Sequence, residues 1–486
     1  MSPPKFLEDR LLKGDNPATG AVRKGKRRRG MEREFDTLLK GGIVVNGGGL
    51  CSRDVAIKGE SIAAVQPNIP EASAEKIMDA KGRFILPGIV DVHTHPLYED
   101  DFENTAKTAA WGGTTTLIHY AYAFPGKKIR ETIENTIAEA SRVSCLDFGL
   151  HVGLFQVENQ YQQIPDAFEL GVRTFKMFMT YQKLGRMTSD YYLMAAFDLI
   201  AERRGMAMVH AENGLATDFL EDKFNREGIP ALDAFTRMRP ASLEAEAINR
   251  AIAIAEVANC EIYIPHISVR RGLEPIVQAR LRGQKVYAET CPQYLELTEK
   301  DLYRFRALAK IGPPLRRPED NEALWRGLAN GTIDVVASDH APKAKKIDED
   351  FFNAAYGSPQ AETLLTVTYD GGVNRSRITL PRLVQVLAEN PARIFGLYPR
   401  KGSVEKGADA DLVIFDPAIP HILSGKTQHT KAGYTLFEGR RCLGKPVLTL
   451  QRGKIVFEQD RLIARPGDGR YLPLVKEGKQ RACEPE

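Results

Sequence analysis

His93 and His95 stand two residues apart in Asp91-Val92-His93-Thr94-His95-Pro96, at the end of the apolar run 84–90. In an extended strand, residues two apart point to the same side, so the two imidazoles face one point and make half of a metal site. Taken alone, a His-x-His pair fits two hydrogen-bonded histidines as well as it fits a metal site. Four further strand-like runs shift the balance, because each carries a possible ligand: Lys176, His210, His266 and Asp339. All seven histidines between residues 85 and 400 lie in or just after such a run, and none lies in a segment of helical periodicity.

Four imidazoles and a carboxylate suit a borderline cation such as zinc, which takes nitrogen and oxygen ligands. Lys176 is the unexpected member, since an ammonium beside divalent cations is repelled. Burial and positive neighbours depress the pKa of such a lysine, however, and a neutral amine reacts with carbon dioxide to give a carbamate. The carbamate carries two oxygens and a negative charge, so one lysine can bridge two metals. Metals about 3.5 to 4 Å apart then polarise a bridging water to hydroxide near neutral pH. The flanks Thr174-Phe175-Lys176-Met177-Phe178-Met179 are too apolar for an exposed lysine.

The elements that must position these residues are eight short apolar strands, at 85–92, 114–119, 148–155, 172–177, 206–210, 262–266, 286–289 and 334–338. Segments of helical periodicity separate most of them, for example 101–111, 129–143, 191–204 and 243–258. This alternation predicts an α/β fold, a parallel (β/α)8 TIM-like barrel over residues 85–400, with the candidate ligands at the C-terminal ends of the strands. A doubly wound open sheet is the alternative, without a Gly-x-Gly-x-x-Gly after the first strand to support a dinucleotide-binding version. Residues 31–84 and 401–465 read as short strands with turn residues between them, which predicts one small β-sandwich domain built from both chain ends. The segment 466–486 is a weakly patterned tail, expected to dock on a neighbour or stay mobile.

With 486 residues and 43% hydrophobic content, the chain can bury a large core. It has no run of 18 apolar residues and no apolar segment after its charged N-terminus, so neither a membrane partner nor a secretory signal is expected. The six cysteines are scattered without a Cys-x-x-Cys pair, which suits a reducing, cytoplasmic setting. The net charge of +4 comes from residues 1–30, which hold nine Lys/Arg against three Asp/Glu; the rest of the chain carries −2. No aromatic residues interleave with Lys24-Gly25-Lys26-Arg27-Arg28-Arg29, so this stretch reads as a disordered basic extension and no nucleic-acid partner is expected. Met31 directly precedes the first regular pattern and is a candidate start of translation.

The set His93-Thr94-His95, Phe175-Lys176-Met177-Phe178-Met179-Thr180-Tyr181, Val209-His210-Ala211-Glu212-Asn213, His266-Ile267-Ser268 and Ala337-Ser338-Asp339-His340-Ala341-Pro342 resembles the amidohydrolase superfamily. Within it, the chain looks like the cyclic-amidase branch of dihydropyrimidinases, hydantoinases, allantoinases and dihydroorotases, over residues 37–462. The resemblance implies two divalent metal ions, zinc being favoured, held by His93, His95, Lys176, His210, His266 and Asp339, with Lys176 N6-carboxylated. It implies that a metal-bridging hydroxide attacks a ring amide and that Asp339 carries the proton from the water to the leaving nitrogen. It also implies a homo-oligomer, tetramer or dimer, acting on a small-molecule cyclic amide.

Tyr181 matches the tyrosine with which dihydropyrimidinases and hydantoinases bind substrate. Their serine before Pro-Pro-Leu-Arg and asparagine near the end of the barrel correspond here to Gly312 and Thr363. Pro96-Leu97-Tyr98 and His119-Tyr120-Ala121 lack the arginine and asparagine usual in dihydroorotases. The nearest expectation is a dihydropyrimidinase- or hydantoinase-like hydrolase; the rivals are allantoinase- or dihydroorotase-like enzymes and a non-catalytic scaffold relative. His119 and His151 are expected to pack near the site, His340 to orient neighbours, Glu212 and Asn213 to fix His210, and His421 and His429 to stand apart from it.

Overall fold

The computed structural model describes residues 23–24 and 33–474. The expected basic extension therefore lies outside the described residues, except for Arg23–Lys24, which pairs antiparallel with the strand Ala74–Asp79.

Eight parallel strands form one sheet in sequence order. They are β1 (Ile89–Thr94), β2 (Thr114–Ala123), β3 (Asp147–Leu154), β4 (Thr174–Phe178), β5 (Met206–His210), β6 (Glu261–Ile264), β7 (Val286–Thr290) and β8 (Val335–Val336). A parallel bridge between Thr94 and His340 brings the chain beyond β8 back to β1 and closes the (β/α)8 barrel. The helices Phe102–Trp111, Ile129–Val143, Asp190–Glu202 and Ala241–Val257 fall where the periodicity places them. The first is capped by Asp101, whose carboxylate accepts from Asn104 N at 2.8 Å.

Strand alternation decides which side chains reach the barrel axis. Leu117, Ala121, Phe175, Met177, Ala207 and Val209 belong to the core between sheet and helices. Their neighbours Ile118, Tyr120, Phe178 and Met208 belong to a second cluster inside the barrel, together with Val90, Val92, Tyr263 and Ala337. Lys176, between Phe175 and Met177, therefore points inward.

The first strand run divides. Residues 85–87, expected to open the first barrel strand, instead belong to the strand Phe84–Pro87 of the other sheet, parallel to Phe35–Asn46 and antiparallel to Leu412–Ile422. The chain changes sheets at Gly88, whose N–H donates to Asp411 O at 2.8 Å. A Cβ on Gly88 would come within 2.1 Å of Thr115 Oγ1, so this crossing needs glycine. Strands from both chain ends join in this ten-stranded sheet, which wraps around a core containing Val44, Val55, Ile57, Leu412, Ile414 and Leu450.

Of the tail expected over 466–486, residues 467–474 lie on the chain's own barrel, and 475–486 fall outside the described residues. Leu472 N donates to Phe148 O at 2.7 Å and Leu474 N to Gly171 O at 2.8 Å. Leu472 and Leu474 join the cluster inside the barrel and plug the end where β3 and β4 begin. Beside them a buried ionic junction ties the barrel strand β3 to the C-terminal strands of the other sheet: Lys401 Nζ lies 2.7 Å from both Asp147 and Asp411 and 2.9 Å from Asp409, and Arg452 pairs with Asp147. Replacing one partner of a buried ion cluster strands the others in a low dielectric, at a cost of about 3–5 kcal/mol. Lys401→Met is accordingly expected to lower full-chain stability by about that amount in urea unfolding; an unchanged midpoint would show that the junction contributes nothing.

Candidate functional site

The strands deliver the candidate ligands to one end of the barrel. His93 lies within β1 and His95 just past it, Lys176 in β4, and His210 at the last position of β5. His266 and Asp339 follow β6 and β8 in left-handed backbone, at φ 42° and 50°. Tyr181 shares that conformation, at φ 68°. Such positions cost of order 1–3 kcal/mol for a residue with a side chain and persist where surrounding contacts impose them. Two N–H groups, of Leu184 and Arg186, hold the Tyr181 carbonyl at 3.1 and 3.2 Å. The His266 N–H donates to Glu289 Oε1 at 3.0 Å.

Asp339 Oδ1 lies 3.1 Å from His93 Nε2 and 3.0 Å from His95 Nε2, and this trio is a group that could hold a metal ion. The opposite ring nitrogens are already engaged. His93 Nδ1 sits 2.7 Å from Glu289 Oε1, and His95 Nδ1 sits 2.8 Å from the Tyr122 hydroxyl. His210 Nε2 lies 2.7 Å from Glu212 Oε2, which also accepts from Arg239 Nη1 at 2.7 Å. That leaves Nδ1 of His210 for the centre. Lys176 Nζ is 3.3 Å from His266 Nε2. Held in this way, His93, His95 and His210 each present one nitrogen in a fixed orientation, as ligating histidines require.

Burial dominates the electrostatics. It drives His93 and His266 well below the ordinary imidazole range, Lys176 adding to the effect in both, so the rings are neutral donors. Burial also pushes the Lys176 ammonium down to about 8, against the pull of Asp339 and Glu289. For Asp339 burial acts upward, but His93, His95 and Lys176 together hold its carboxyl below the usual value. Glu289, accepting from the Tyr263 hydroxyl at 2.7 Å, is pushed up to about 8 by its burial.

A cleft of about 450 Å³ opens over these groups and is lined by all six expected ligands. Tyr181 and Gly312 also line it, and the structure brings these two together. A Cβ on Gly312 would lie 2.6 Å from the Tyr181 hydroxyl and 3.3 Å from the Tyr356 ring, so a serine would displace one or the other. Thr363 is not brought to the cleft. It is buried in the turn Ala361–Thr363, and its hydroxyl donates to Gln360 O at 3.0 Å. Among the side chains near the end of the barrel that do line the cleft is Tyr356, edge-on to Tyr181 at 5.7 Å between ring centres.

The remaining histidines support the framework. His119 Nδ1 bonds Thr94 Oγ1 at 2.7 Å, and His151 bonds Thr174 Oγ1 and, at 3.0 Å, Val92 O. His340 bonds Asp100 at 3.0 Å and accepts from the N–H groups of Gln360 and Ala361 at 3.1 and 3.2 Å. Glu212 fixes His210 as expected, whereas Asn213 caps the helix Gly214–Arg226 through Ala216 N at 3.1 Å. His429, outside the barrel, stacks on Trp111 at 3.6 Å. Sequence reasoning gave no role to Glu289, Tyr356 or Arg239. Glu289 had a signal: it ends a barrel strand run, where the ligands also lie. Arg239 follows the helix Ala231–Met238, at no position that pattern distinguishes.

Comparison with known proteins agrees with this architecture. The Amidohydrolase family profile matches residues 84–456. The chain is 35% identical to a D-hydantoinase of Ralstonia pickettii over 457 residues, covering 90% of this chain and 98% of that one. It is 33% identical to an L-hydantoinase of Paenarthrobacter aurescens, over 90% of this chain and 98% of the other. The crystal structure of a dihydropyrimidinase from Brevibacillus agri superposes with a TM-score of 0.86 at 30% identity, covering 91% of this chain and 99% of that one. With a barrel that presents this ligand array and relatives matched over nearly their whole length, the chain belongs to the amidohydrolase family.

Proposed function

We propose that this protein hydrolyses the amide bond of a cyclic amide or ureide ring, as its hydantoinase and dihydropyrimidinase relatives do by name, with two divalent metal ions, most simply zinc, and with Lys176 as a carbamate. The observation that carries the reading is the convergence of His93, His95, Lys176, His210, His266 and Asp339 at the floor of one cleft. Its volume of about 450 Å³ accommodates a substituted five- or six-membered ring.

The donor set fits the metals. His93, His95 and Asp339 would hold one ion and His210 and His266 the other, with the Lys176 carbamate shared between them. Bound there, the ions supply Lewis acidity and lower the pKa of water toward neutrality. The chain's own residues do the rest. Asp339, kept ionised by His93 and His95, takes the proton of the attacking water and passes it to the ring nitrogen as the C–N bond breaks. Tyr181 keeps its proton, because burial raises its pKa, and so can donate to the carbonyl oxygen as negative charge grows there. Gly312, having no side chain, leaves its backbone groups open to a ring imide.

The scattered cysteines support a cytoplasmic setting; the five among the described residues are free thiols. Among the described residues no helix is long and apolar enough to cross a membrane. A homo-oligomer, dimer or tetramer, belongs to the same reading and is checked by sedimentation of the full chain.

Metal-loaded protein is expected to open dihydrouracil, hydantoin or a 5-substituted hydantoin, and Lys176→Ala to lose at least about a thousandfold in kcat, with a lower bound-metal count. Turnover of allantoin or dihydroorotate alone would move the substrate assignment, and two bound metals without turnover of any ring would refute it. Glu289→Gln, which removes the carboxylate behind His93, is expected to weaken metal binding by about 10–100-fold. Competition against a chelator measures this, and unchanged affinity would show that Glu289 serves packing alone.

A further inference from the structure

The cleft is lined by four lysine and arginine side chains, Lys176, Arg186, Lys310 and Lys343, and by one carboxylate, that of Asp339. Most cations in this region are committed. Lys176 belongs to the ligand array, Lys310 Nζ donates to Phe352 O at 2.6 Å, and Arg239, behind the cleft, pairs with Glu212. Arg186 and Lys343 differ: among the described residues neither side chain has an ion pair or a hydrogen bond, whereas Lys310, also over aromatic rings, has its hydrogen bond to Phe352. Each rests instead on an aromatic ring, Arg186 at 4.4 Å over Phe155 and Lys343 at 2.6 Å over Tyr98.

Those rings place both cations on one wall. Phe155 stacks on Tyr122 at 4.8 Å, and Tyr122 bonds His95. Tyr98 lies 6.4 Å from the His95 ring. Arg186 and Lys343 thus stand one or two rings from a ligand histidine, within reach of a substituent on a bound ring. They come from different loops, after β4 and after β8, and they repel each other: burial, with Arg186 adding, pushes Lys343 down to about 7. Among the described residues the one acid that acts on Lys343 is Glu99, with which it forms no ion pair. Two half-buried like charges with no counter-ion are a cost that an anion between them would remove.

We propose that Arg186 and Lys343 form an anion subsite, and that the substrate is a cyclic amide bearing a carboxylate substituent. This rests on the hydrolase reading above and names its substrate class. The guanidinium fork matches a carboxylate in two-point contact, and the ammonium adds a point charge from the other side. The aromatic faces beneath both cations hold them in place without neutralising them.

The test compares hydantoin-5-acetate with its isosteric amide on metal-loaded full-length protein, alongside Arg186→Met, Lys343→Met and the double variant. We expect kcat/KM for the acid to exceed that for the amide by about tenfold or more, and this ratio to fall toward one in the double variant. Equal rates in the wild type, or a preference that survives in the double variant, would overturn the subsite. Hydrolysis of unsubstituted hydantoin without turnover of the acid would also overturn it and leave the hydrolase reading standing. If no cyclic amide is opened, that reading fails. Calorimetric binding of acid and amide then decides the subsite alone: tighter binding of the acid, lost in the double variant, supports it, and equal binding overturns it.

Discussion

The site depends on the seam where the barrel closes. Asp91 Oδ1 accepts from Ser338 N at 3.0 Å and His93 N at 3.3 Å, and Ser338 Oγ donates to His93 O at 3.2 Å. His340 N continues the seam to His93 O, and His95 N to His340 O. First and last strands are thereby locked in one register, and Asp339 is carried to a point facing both imidazoles of β1. The lock is internal and dry. Burial pushes Asp91 up to about 6 even with these donors around it, so the carboxylate is sustained by hydrogen bonds rather than by water.

From that seam follows a ring of neutral nitrogen donors in a low dielectric. Each histidine would rather be neutral, and the lysine is pulled the same way, which is the protonation state that coordination demands. The surrounding acids serve different ends. Asp339 faces the cleft and stays ionised, whereas Glu289 stands behind His93, bonds Tyr263 and the His266 N–H, and braces two candidate ligands at once. Left-handed turns at His266 and Asp339 supply the rest of the aim, since regular strand geometry would not carry either side chain to the same point.

Much of this was legible before any coordinates. Short apolar runs separated by segments of helical periodicity located the barrel strands, and the placement of every barrel histidine in or after such a run picked out the candidate ligands, because strand ends are where a barrel exposes side chains to substrate. What stayed hidden depends on contacts between distant segments. The run from Phe84 to Val92 looks continuous, and only the crowding of Gly88 against Thr115 shows that it serves two sheets. Thr363 and Tyr356 are both near the end of the barrel, and the turns between them, not their residue types, decide which meets the cleft. The leucines that plug the barrel, Leu472 and Leu474, sit in a short Pro-containing stretch with too few residues to show a period.

The buried junction at Asp147 bears on the order in which the chain can be completed. This carboxylate opens the third barrel strand, but its cationic partners are Lys401 and Arg452, separated from it by 254 and 305 residues. During synthesis from the N-terminus, the early strands emerge while Asp147 still lacks both counter-charges and must keep its hydration. Sealing that end of the barrel is therefore a late event, timed by the arrival of the C-terminal strands. A nascent chain stalled before residue 401 would carry its candidate ligands on a barrel whose opposite end remains wet.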